Sequence, residues 1–134
     1  MCKQPFKYIA LAILFSFGLA QVDYNSVIQP IFTSNCGGCH TSSSSAGLNL
    51  SSYSNLMSGS NNGAVITPYD HAASELYNRI TLPESSSFDM PPSGMLTQNQ
   101  IDLIAQWIDE GALEEPAPSS GCTDLEAYNC ADDD

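Results

Sequence analysis

Residues 36–40 read CGGCH, two cysteines three positions apart with a histidine directly after the second. Three chemistries use such a string. Two thiolates at this spacing can supply half of a tetrahedral zinc site. They can cycle as a redox dithiol. They can also form thioethers to the two vinyl groups on one side of a porphyrin, which holds the adjacent histidine beneath the ring where it can bind iron. Each option makes its own demands on the rest of the chain.

Zinc needs two further ligands. The other thiols beyond residue 20 are Cys122 and Cys130, past a linker-like stretch, and His40 is too close to Cys39 for both to coordinate one ion easily. A dithiol enzyme needs a strand before the motif and a helix after it, so that the helix N-terminus lowers a thiol pKa. Here a helical pattern precedes the motif and TSSSSAG follows. Covalent haem attachment needs an exported chain, apolar surroundings and a second group for the iron. Its residues are Cys36 and Cys39 for the thioethers and His40 for the metal.

Export is legible at the front. Lys3 and Lys7 precede an apolar run at residues 9–17, and Gly18-Leu19-Ala20 closes it with small side chains at the −3 and −1 positions. This predicts a signal peptide over residues 1–20, cleaved before Gln21, and a periplasmic or secreted product. The run is short against the ~20 residues that span a bilayer, so no stable membrane insertion is expected after cleavage. The full chain carries a net charge of −12. Without the first twenty residues, Arg79 is the single basic side chain against 15 acidic ones. That balance excludes nucleic acid, whose binding needs clustered Lys and Arg, and it favours redox partner proteins with a basic docking surface.

The elements that must position these groups read as helices. Segments 23–33, 71–80 and 97–110 carry 3.6-residue periodicity, a short turn at 52–57 is possible, and no stretch sustains the alternation of a strand. Asp23 is placed to cap the first, with Val22 and Val27 as its staple, and Pro30 should kink or loosen it. Asp70 is placed to cap the second. Thr97 and Gln100 form a capping box for the third, Leu96 and Ile101 its staple, and Gly111 its C′ residue. The expected fold class is all-α, three to four helices joined by long loops. The expected domains are 1–20 signal peptide, 21–113 folded unit, 114–121 linker (EEPAPSSG) and 122–134 tail, the last closed by a Cys122–Cys130 disulfide. So few helices leave a marginal core that a large apolar group would complete.

The order IQPIFTSNCGGCH, GLNLSSYSNLMSG, VITPYDHAASELYNRI, DMPPSG and LTQNQIDLIAQWIDEGA, over roughly residues 24–113, resembles the planctomycete-type cytochrome c domains within the class I c-type cytochromes. The resemblance implies a small helical fold around one covalent haem c per chain, with a histidine and a methionine on iron, and a role in single-electron transfer between proteins. The alternative function is a haem enzyme or sensor with an open sixth iron position. One departure is that the family usually has Gly-Asp after the proline preceding the second helix, where this chain has Tyr69-Asp70.

Met90 and Met95 are the methionines placed to oppose His40. Pro91-Pro92 stiffen the chain after Met90, and the resemblance places the iron-binding methionine in the MPP element. Met95, next to the staple residue Leu96, reads more simply as an apolar contact and stands as the alternative ligand. His71 is a further rival, and Trp107 and Tyr77 are expected near the porphyrin or between helices.

Overall fold

The computed structural model describes residues 20–41 and 43–117. Residues 1–19 of the predicted signal peptide, and the tail from 118 onward with Cys122 and Cys130, lie outside the described residues. Described cysteines Cys36 and Cys39 are both free thiols. Among the described residues the regular structure is helical: α1 (Gln29–His40), α2 (Tyr53–Met57), α3 (Glu75–Ile80) and α4 (Gln98–Asp109), with a π-helical turn at Tyr24–Ile28 leading into α1. The fold is all-α, as the periodicity predicts, and no helix in it is long and apolar enough to cross a membrane.

Asp23 accepts the Ser26 amide at 2.7 Å, so the first turn is capped where the sequence places the cap. The loosening expected around Pro30 takes the form of the π turn. Pro30 then sits in the first turn of α1, where its missing N–H leaves no bond unmade. What the sequence reading missed is the far end of this helix. It does not stop near residue 33 but continues through the glycine pair to His40. Glycine costs about 1 kcal/mol per residue against alanine in a helix, so propensity alone argues for an earlier end. Tertiary packing of Ile28, Ile31 and Phe32 overrides it.

The second predicted helix is corrected in the other direction. α3 begins at Glu75, not at 71. Asp70 still accepts an amide, that of Ala73 at 2.9 Å, but it caps an isolated turn. The helix is placed instead by Ser74, which is fully buried. Its hydroxyl accepts the Thr67 amide at 2.8 Å and donates to the Asp70 carbonyl at 2.9 Å. α4 has the predicted capping box, with Thr97 and Gln100 bonded reciprocally, and Gly111 follows at φ +107°.

Tyr24 joins the layers. Its ring lies 5.3 Å from that of Trp107 on α4 and 5.2 Å, edge-on, from that of Tyr53 on α2. The polar ends of these aromatics are satisfied, as burial requires: Trp107 Nε1 donates to the Leu113 carbonyl at 2.7 Å, and the Tyr53 hydroxyl to that of Ala112 at 2.9 Å. The two ends of the described segment are tied to each other. The Val22 amide donates to Glu110 at 2.7 Å, and the Ala117 amide donates to Gln21 at 2.6 Å.

Tyr69, the departure from the family pattern, has φ +69°. Glycine takes this conformation freely, whereas a side chain incurs about 1–2 kcal/mol. Two contacts surround the tyrosine in this conformation. Its amide donates to the Ile108 carbonyl at 2.8 Å, and its ring lies so close to Gly111 that a Cβ there would meet it at 2.8 Å.

Candidate cofactor-binding site

Helical spacing of four residues puts Phe32, Cys36 and His40 on one stripe of α1. That stripe forms one wall of a cavity of about 420 Å³, within the range of small-molecule and cofactor sites. Leu48 and Leu50 from the following loop, Leu76 and Ile80 from α3, and Leu96 complete a mainly apolar lining. Met90 reaches the same cavity from the loop after α3. Its amide donates to the Arg79 carbonyl at 3.1 Å, satisfying one of the open carbonyls at the end of α3. The Met90–Pro91 peptide bond is cis.

His40 is oriented by its surroundings. Nδ1 lies 3.2 Å from the carbonyl oxygen of Leu48. A carbonyl only accepts, so in this pair Nδ1 is the donor, which in the neutral ring leaves the Nε2 lone pair for a metal. The loop that supplies Leu48 returns to the helix end, where the Leu50 amide donates to the His40 carbonyl at 2.6 Å. This is the support a metal-binding imidazole needs, one ring nitrogen fixed by a carbonyl and the other available.

Cys36 is half-buried, and burial, reinforced by the nearby Cys39, pushes its thiol up to about 11. Both cysteines lie in the last turns of α1, the negative end of the helix dipole, which disfavours a thiolate. A redox dithiol needs the opposite arrangement. Cys39 is exposed and does not line the cavity. The polypeptide itself does not require the glycines between the thiols on steric grounds. A Cβ on Gly38 would meet nothing within 4 Å, and one on Gly37 only Thr41 Oγ1 at 3.4 Å.

The other sequence candidates fall elsewhere. Met95 is 56 % exposed and does not line the cavity, so it is not the apolar contact expected from the sequence. His71 points away to α4, with Nδ1 2.7 Å from an oxygen of Asp109 and its ring edge-on to Tyr77 at 4.6 Å. Trp107 packs between helices. Sequence reasoning missed Arg79 and Glu75, the cavity's two oppositely charged side chains, which pair at 2.6 Å. Their i,i+4 spacing was the available signal.

These residues fit a covalently held haem. An apolar-walled cavity carries an imidazole with its Nε2 lone pair free and a thioether sulfur, and two free thiols lie on the helix that carries the imidazole. Among the described residues no group of three or more His, Cys, Asp or Glu side chains is placed to hold a bare metal ion. No curated protein and no solved structure matches the chain. The family model described as planctomycete cytochrome C matches residues 36–94, from the first cysteine of the motif past Met90. Over residues 36–94, which carry the motif, His40 and Met90, the chain is thus similar to planctomycete cytochrome C.

Proposed function

We propose that the protein is an exported monohaem c-type cytochrome that passes single electrons between partner proteins. Cys36 and Cys39 would hold the haem as thioethers, and His40 and Met90 would ligate its iron. The observation that carries this reading is that His40 and Met90, fifty residues apart, line one apolar cavity. The bound haem iron supplies a reversible one-electron couple. The chain contributes the rest. α1 carries Cys36 and His40 on one rigid face, the Leu48 carbonyl holds the Nδ1 proton, and the aliphatic walls exclude water and so bear on the potential. The acidic surface, with Arg79 already paired to Glu75, is suited to a basic docking partner.

Production with a c-type maturation system tests this. The purified protein should show a c-type haemochrome spectrum with one haem per chain, and its mass should include the covalent adduct. Met90→Ala should keep the adduct and lose the weak red charge-transfer band of sulfur-bound ferric iron. A chain with unmodified cysteines at 36 and 39 would sink the proposal, and loss of the band in Met95→Ala instead would transfer the ligand role.

A further inference from the structure

We propose that Arg79 is a positioning residue that fastens the Met90 loop over the cavity, an inference that rests on Met90 being the second axial ligand. The loop between α3 and α4 is rich in serine and proline, and its own bonds are short-range turns: Ser86 N to the Pro83 carbonyl, Asp89 N to the Ser86 carbonyl, Phe88 N to Ser86 Oγ. Nothing in such a segment fixes a thioether to within the fraction of an ångström that a ligand needs.

Arg79 connects it to α3 in three ways. Its carbonyl accepts the Met90 amide at 3.1 Å. Its Nη1 donates to the Phe88 carbonyl at 3.3 Å. Its guanidinium lies over the Phe88 ring, 5.2 Å from the centroid. Glu75, one turn back, holds Nε at 2.6 Å and fixes the plane of the fork. The stacking also accounts for Phe88, which at 63 % exposure would otherwise be an apolar ring in water. Arginine suits this task because one planar group can stack, donate to a carbonyl and pair with a carboxylate at the same time, whereas an ammonium cannot.

The clamp is tested in the haem-loaded protein, with cyanide as the probe of an opened sixth position. Arg79→Ala and Phe88→Leu should each keep the covalent haem but weaken the red charge-transfer band. Each should raise the rate of cyanide binding about tenfold, the order of the population shift that one exposed stack and one hydrogen bond supply. Arg79→Lys keeps the charge and should resemble Arg79→Ala. Wild-type cyanide rates in Arg79→Ala and Phe88→Leu, even with a lowered Tm, would overturn the clamp and leave a merely structural arginine. Wild-type rates in Phe88→Leu and Arg79→Lys, with only Arg79→Ala affected, would point to charge alone and overturn it too. A wild-type protein lacking the red band removes the ligand assignment itself, and the clamp with it.

Discussion

Ser74 should matter more to stability than Asp70, although the sequence marks Asp70 as the helix cap. Replacing Ser74 with alanine removes the acceptor for the Thr67 amide and the donor to the Asp70 carbonyl, bonds of 2.8 and 2.9 Å made by a fully buried side chain. Each bond contributes about 1 kcal/mol net, and stranding a partner out of water costs more than the bond gains. Thr67 and Asp70 are themselves exposed, so water recovers part of that loss. The expected cost is therefore about 2 kcal/mol. Asp70→Ala removes one bond on an exposed turn and should cost about 0.5 kcal/mol, the low end for caps. Urea unfolding of the haem-loaded protein, followed by far-UV circular dichroism, separates the two. With a urea slope of about 2 kcal/mol per molar, Ser74→Ala should lower the midpoint by about 1 M and Asp70→Ala by about a quarter of that. If Asp70→Ala is the more damaging, the helix starts at residue 71 in solution and the placement of α3 is wrong.

Three further outcomes are expected. In protein prepared without haem, iodoacetamide at pH 8 should modify exposed Cys39 faster than Cys36, since a thiol pushed up to about 11 is only ~0.1 % thiolate there; equal rates by mass spectrometry would contradict the burial of Cys36. Gly111→Ala should cost about 1–2 kcal/mol, because of its φ of +107°, and lower Tm by several degrees; the same loss is expected in a Tyr69→Ala background, because the exposed ring end can swing aside, and a loss that vanishes there would make the ring contact the cause. Burial would raise the Asp109 carboxyl, but the amide bond, ring bond and charge of His71 together hold it below its ordinary 3.8. A depressed carboxylate stabilises the fold above its unfolded pKa and loses that contribution as pH falls through the folded value, so Asp109→Asn should flatten the dependence of Tm on pH below about 4.

Legibility in the sequence tracked the range of the interactions. The capping box of α4 depends on residues within one turn, and Leu96, Thr97, Gln100 and Ile101 announce it completely. CGGCH and the methionine of DMPP name the candidate site by residue type, and folding brings Cys36, His40 and Met90 to one cavity. Helix propensity argues against the Gly37–Gly38 stretch of α1, which forms because the turns before it bury Ile28, Ile31 and Phe32 in the core. Ser74 looks like any surface serine until Thr67 and Asp70 fold over it. Arg79 reads as half of an i,i+4 surface pair, and only the return of the loop brings Phe88 and Met90 to it. Tyr69 shows the converse: the unusual residue was visible, but the positive φ that explains why glycine suits the position was not.

The ties between Val22 and Glu110 and between Gln21 and Ala117 have a mechanical meaning. They make the folded unit a pendant, with entry and exit of the chain at one point. Tension between whatever precedes residue 21 and whatever follows residue 117 is borne by that clasp and by the contact of Tyr24 with Trp107. It does not cross the cavity. A pull on the flanking chain can therefore swing this domain without stretching the bond between Met90 and α3.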